Sequence, residues 1–246
     1  MKQLNRTLLT SVCAAMLALT GCKKIEDTQP IAIKQTDFNG VWKLSAPITA
    51  LKTVDGKAPP LTATAQKLYD ERIAATAKGD RSWDNTLKCK PPGEPRTLIE
   101  NGWPFQIGVS DERVVFMFQW NRYVRVVEMG RELPDFDGPF FYGRTSGKWD
   151  GNALVATAIG VREQVSLDST GLPHSEDMKL TETFRLLDAN KLEARIHIDD
   201  PATFTQPWDA VLTFDRQPED AIVEDNCLDR VNPANYYKPT LTTAKT

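Results

Sequence analysis

From Phe105 onward apolar and polar residues alternate with a period of two, in short runs broken by turn residues. The pattern predicts strands over Phe105–Val109, Arg113–Gln119, Tyr123–Glu128, Gly147–Trp149, Leu154–Ile159, Leu180–Leu187, Lys191–Ile198 and Trp208–Asp215. Ser110-Asp111-Glu112, Asp150-Gly151-Asn152 and Asp188-Ala189-Asn190 supply tight turns between them. Upstream, Val41-Trp42-Lys43-Leu44 suits a first strand that Gly40 turns the chain into. A helix is expected over about 61–78: Pro59-Pro60 precede it, Leu61, Ala65, Leu68, Tyr69 and Ile73 fall on one side, and Gly79 ends it. Residues 80–104 are rich in proline, glycine and charge and read as a long loop. Neither a βαβ alternation nor an internal repeat is visible. The expected fold class is therefore mainly β, an antiparallel barrel or strongly curved sheet with one N-terminal helix.

The same alternation sorts the strand faces. Trp208, Ala210, Leu212 and Phe214 share one face of the last strand, and Asp209, Thr213 and Asp215 the other. On the preceding strand Leu192, Ala194, Ile196 and Ile198 oppose Glu193, Arg195, His197 and Asp199. In a barrel these faces are lumen and exterior, and the alternation leaves open which face of the Glu-Arg-His-Asp strand is wet. A lumenal Arg195 would need a buried partner such as Glu193 or Asp199.

The amino terminus follows another pattern. Lys2 and Arg6 precede an apolar run from Leu8 to Leu19, too short to span a bilayer as a helix, so it reads as a cleavable export signal. Leu19-Thr20-Gly21-Cys22 resembles the lipobox of bacterial lipoproteins. That resemblance implies cleavage after residue 21, lipidation of Cys22 and anchoring through several acyl chains. Lys23, with no aspartate after the cysteine, points to the outer membrane, facing the periplasm. Residues 22–36 form the lipidated tether, polar and interrupted by Pro30, and residues 37–246 a single domain.

Composition narrows the partners. The chain carries 30 basic against 33 acidic residues, and loss of Lys2 and Arg6 leaves a formal charge of about −5. No basic run or RNA-binding signature points to nucleic acid. No second long apolar segment follows, so a soluble, monomeric body is expected. Cys13 leaves with the signal, and Cys89 and Cys227 remain in loop-like surroundings of an oxidising compartment. A disulfide between them, clamping the carboxy-terminal tail, is the expectation, with two free thiols as the alternative. A metal site is disfavoured because only His174 and His197 are available and neither lies at ligand spacing. No cofactor is expected.

Two further resemblances concern the body. Gly40-Val41-Trp42 opening a meander resembles the first-strand signal of lipocalin-like, calycin-type barrels. CKPPGEPR, PFQIGVSDERVVFMFQWNRYVRVVEM, SGKWDGNALVATAIG, LDSTGLPHSEDMKLTETFRLLDANKLEARIHIDDPATFTQPW and EDNCLD are similar, in order, to a group of secreted bacterial proteins of unestablished function. The chain departs from that group at Gly151–Ala158, where Asn152 and Thr157 stand at two positions that are acidic in the group's pattern, so any role of those acids is not carried over.

Three clusters carry candidate chemistry. Trp120, Asn121, Arg122, Tyr123 and Arg125 combine guanidinium groups with aromatic rings, a receptor for a carboxylate or planar ligand, or else a cross-strand ion pair packed on aromatics. His174 lies in a loop with Glu176 and Asp177, and with Glu182 beyond, as an oriented base or a turn histidine. His197 and Asp199 share a face with Arg195 before the Asp199-Asp200-Pro201 strand stop. No nucleophile elbow, phosphate loop or dinucleotide fingerprint is present. The favoured expectation is a tethered barrel binding a small apolar or amphipathic ligand. The alternatives are an acid–base enzyme using His174 with Glu176, or His197 with Asp199, and an envelope assembly lipoprotein without a pocket.

Overall fold

The computed structural model describes residues 34–132 and 138–232. The expected signal segment, Cys22 and the expected tether up to residue 33 lie outside them. Nine strands close into one barrel in sequence order: β1 (Gly40–Leu44), β2 (Phe105–Val109), β3 (Arg113–Phe118), β4 (Val124–Met129), β5 (Arg144–Asp150), β6 (Ala153–Ile159), β7 (Lys179–Asp188), β8 (Lys191–Asp199) and β9 (Trp208–Arg216). The fold is mainly β, a closed barrel, as the alternation predicts, and every expected strand is present. β9 pairs with β1 to complete the circle.

One pairing departs from the expected antiparallel order. β5 runs parallel to β4 and meets it only at Glu128↔Ser146 and Met129↔Gly147. The reason for so close a junction is Gly147, where a Cβ would lie 2.5 Å from Val127 and 2.8 Å from the Met129 sulfur. The rest of β4, Val124–Val127, has β3 on one side and no strand on the other. The wall is thus closed by hydrogen bonds everywhere except along this seam.

Inward residues fill the barrel with rings. Phe105 meets Phe214 edge-on at 5.1 Å, and Phe116 meets Phe184 at 5.0 Å. Leu192, Ala194, Ile196 and Ile198 are buried, which sends Glu193, Arg195, His197 and Asp199 to the exterior and settles the face left open by the sequence. At the end where β1 begins, the Arg216 guanidinium lies 4.2 Å from the centre of the Trp42 ring. It donates to the carbonyls of Asp37, Asn39 and Ala189 at 2.6, 2.6 and 2.7 Å. The Trp42 indole in turn donates to Phe38 at 2.9 Å, so one tryptophan ties the entry turn to the last strand.

The longer excursions gather at the opposite end. Helix α1 (Ala63–Ala77) is capped by Thr62, whose hydroxyl accepts from the Ala65 amide at 3.3 Å. Of its expected apolar face only Ala65 is buried, while Leu68 and Ile73 stand exposed. The helix is held by polar contacts instead: the Tyr69 and Thr170 hydroxyls meet at 2.6 Å, and Arg72 donates to the Gly171 carbonyl at 2.8 Å.

The expected loop 80–104 has a buried stretch from Pro92 to Glu100. Arg96 pairs with Asp84 through both guanidinium nitrogens, at 3.0 and 2.9 Å, and with Glu100 at 2.6 Å. Burial pushes the Asp84 carboxyl up, but Arg96 and Thr86 reverse this and hold it below the usual carboxylate range. Cys89 and Cys227 form the expected disulfide. It pins α2 (Cys227–Val231) beside this loop.

Candidate functional site

The seam between β4 and β5 opens into a cavity of about 630 Å³. Val124, Val126, Phe140, Phe141 and Tyr142 line it with apolar surface; Glu128, Arg131, Glu132 and Arg144 are charged lining groups, and Arg125 marks its inner side. The cavity exists because β5 leaves β4 after two residue pairs, so it follows from the strand crossover rather than from any one side chain.

Arg125 points inward from β4 with 2% of its surface exposed. It bonds to Glu182, an inward residue of β7, across the lumen. Its Nη1 lies 3.5 Å from Glu94 Oε1, and its guanidinium sits 5.6 Å from the centre of the Phe116 ring. Glu94 follows Gly93, whose positive φ of 77° and tight fit against Val165 leave no room for a side chain. Thus a β4 arginine, a β7 glutamate and a loop glutamate converge within a lumen that is otherwise apolar.

Burial dominates the electrostatics. It raises the Glu94 carboxyl to about 8, with Arg125 pulling it down and Glu182 pushing it up. Burial alone would weaken the charge on Arg125, but Glu182 and Glu94 outweigh it and raise its pKa. Tyr142 is raised well above the usual phenol value, chiefly by burial and further by Glu94. At neutral pH Glu94 is therefore mostly protonated while Arg125 stays charged. Both Glu94 oxygens, Glu182 Oε1 and Arg125 Nε and Nη1 are buried without a hydrogen-bond partner.

The other members of the aromatic–guanidinium cluster serve the tail. The Asn121 amide donates to Asp225 at 2.5 Å, and its side-chain oxygen accepts from the Cys227 amide at 3.0 Å. Trp120 is buried beneath Arg230, 4.8 Å from its ring centre. Tyr123 donates to the Cys89 carbonyl at 2.7 Å, and Arg122 is exposed. Asn121 and Arg122 both adopt positive φ, which turns the chain sharply before β4 and separates Arg125 from its neighbours in sequence.

Neither histidine lines the seam cavity. His174 is 5% exposed, and its Nδ1–H donates to the Ser175 carbonyl at 2.8 Å. Burial lowers its pKa, against the pull of Asp200. Asp200 itself accepts from the Ser175 amide and hydroxyl, both at 2.7 Å, and Glu176 is exposed. His197 lies on the outer wall, 3.0 Å from Asp209, which Arg195 also reaches at 3.1 Å. Asp199 is likewise exposed. The His174 loop is joined to the end of β8 through Ser175 and Asp200, and none of His174, Glu176, His197 and Asp199 lines the cavity beside the buried arginine.

Glu182 had a legible signal, a charged residue at an inward position between Leu180 and Phe184. Glu94, in a proline-rich loop without periodicity, had none. Among the described residues no group of three His, Cys, Asp or Glu side chains is placed to hold a metal ion. No protein-family model and no curated relative matches the chain. Among solved structures, a crystal structure of a mutant of the fluorescent protein UnaG is similar with a TM-score of 0.34 and 14% sequence identity, over 74% of this chain and 98% of that one.

Proposed function

We propose that this chain is an envelope lipoprotein, lipidated at Cys22 and tethered to the outer membrane, that binds a small apolar or amphipathic molecule through the β4–β5 seam. The observation that carries the reading is the cavity of about 630 Å³ placed against the buried Arg125. Its volume falls within the range of small-molecule sites, and aromatic walls with few inward polar groups are the usual composition of such sites. The Cys89–Cys227 disulfide supports an oxidising compartment such as the periplasm. The apolar part of the ligand lies against Phe140, Phe141 and Val126, and its polar end faces Arg125.

Fluorescence of N-phenyl-1-naphthylamine, bright only in apolar surroundings, tests the site. The full chain carrying Cys22→Ser, which has no lipid, brightens the dye. Val126→Trp, which crowds the seam from an exposed position, reduces that brightening several-fold with the fold intact. Equal brightening by both proteins rules the seam out as the site. Separately, metabolic palmitate labelling is expected for the native chain and lost on Cys22→Ser; labelling that persists contradicts the anchor.

A further inference from the structure

We propose that the buried Glu94–Glu182 carboxyl pair receives the primary ammonium head of an amphiphile whose chain lies in the β4–β5 seam. The inference rests on the seam being a binding site and specifies the head group it takes.

The cluster holds two carboxyl groups and one guanidinium, so the acids outnumber the base. Of the four carboxyl oxygens, only Glu182 Oε2 accepts a hydrogen bond, from Arg125. Both Glu94 oxygens and Glu182 Oε1 are left buried without a hydrogen-bond partner. Unpartnered buried acceptors are costly, and an ammonium brings three N–H donors and one positive charge on a compact centre.

Arg125 also keeps free donors at Nε and Nη1, so the rival occupant is an anion. Charge decides between them. An ammonium beside two ionised carboxylates and Arg125 leaves the site neutral. An anion beside the Arg125–Glu182 ion pair leaves one negative charge uncompensated, even with Glu94 protonated. In a water-poor lumen that residual charge is heavily penalised.

The surroundings suit a cation as well. Tyr142 stacks on Phe118 at 6.3 Å, and Tyr123 meets Tyr142 edge-on at 6.2 Å. Their ring faces attract positive charge. Tyr142 and Arg125 line the cavity, and Glu94 lies 3.5 Å from the Arg125 Nη1, so Arg125 stands between the seam and the carboxyl pair.

The groups facing Glu94 are Arg125 from β4, Glu182 from β7 and the Tyr142 hydroxyl. In the ligand-free protein Glu94 keeps its proton. When the ammonium enters, the Glu94 O–H bond breaks, the proton passes to buffer and the carboxylate pairs with the ligand. Binding therefore exchanges a proton for an ammonium.

Isothermal titration of the full Cys22→Ser chain at pH 7 with n-octylamine, n-octanol and n-octanoate tests this, in two buffers of different ionisation enthalpy. Octylamine binds about tenfold or more tighter than either other compound. It releases about one proton, read from the difference between buffers. Glu94→Gln, isosteric with the protonated carboxyl, abolishes the release and the preference for the amine. Octanoate binding as tightly as octylamine overturns the proposal in favour of an anion on Arg125. So does amine binding with no proton release. Binding of octanol or octanoate without preference for the amine removes the head-group inference and leaves the seam site standing. Absence of binding by all three removes both.

Discussion

Glu94 is the residue on which the chemistry of the lumen turns. Its carboxyl titrates near 8 in the fold against 4.5 in an ordinary setting. The folded chain therefore holds more protons than the unfolded one between those values, and stability falls as pH rises across that window. The contribution is fully present below about 4.5 and lost above about 8. Denaturant midpoints for the wild type and Glu94→Gln, measured from pH 5 to pH 9, should diverge as pH rises, the variant giving the flatter profile. Parallel profiles contradict the assignment. His174 acts in the opposite sense: a buried neutral imidazole must charge on unfolding, so its contribution is lost as pH falls below 6.5. Arg96 is the structural counterpart of Arg125. Arg96→Met leaves Asp84 and Glu100 buried without their cation and should cost about 3–5 kcal/mol in chemical denaturation. His197→Ala, on the exposed outer wall, should change stability by no more than about 0.5 kcal/mol. Arg125 itself was legible in the sequence as a guanidinium among aromatics. Glu182 stood out as a charge between Leu180 and Phe184, but its pairing with Arg125 was not legible, nor was Glu94, because both reach Arg125 through the closure of the barrel and not through local spacing.

The strands were the most legible elements, because a half-buried strand writes its two faces into the sequence as alternation. Strand direction is not written that way. β5 alternates as an antiparallel neighbour would, and its parallel contact with β4 shows only in the register. The helix was legible in extent but not in packing. Its apolar residues suggested a face on the core, yet Leu68 and Ile73 remain exposed and hydrogen bonds to the Thr170–Gly171 turn hold it. Closure of the barrel at the β1 end depends on Arg216 bridging three carbonyls over the Trp42 ring. Arg216→Ala should lower stability by about 2 kcal/mol, from the lost cation–π contact and charge-assisted hydrogen bonds, as read by urea denaturation. A change below about 0.5 kcal/mol would place the closure elsewhere.

At the scale of the molecule, a nearly complete ring of strands is tied at one end by Trp42 and Arg216 and built over at the other by the longer excursions. The Cys89–Cys227 bond joins that second end to the tail, its cysteines 138 positions apart in the sequence. Replacing both with serine should cost on the order of 4 kcal/mol by the chain-entropy argument. The pairing was legible from the surroundings of the two cysteines, whereas the use of Asn121 and Trp120 to dock the tail was not. The lateral opening was not legible at all, since it arises from two strands that meet over only two residue pairs. It is nevertheless the feature on which the functional account rests. Native mass spectrometry of the Cys22→Ser chain, purified from periplasm without detergent, tests that account most directly. The account predicts a small molecule bound to the wild-type seam and absent from Val126→Trp. A wild-type protein carrying nothing, or a molecule retained equally by both proteins, would contradict it.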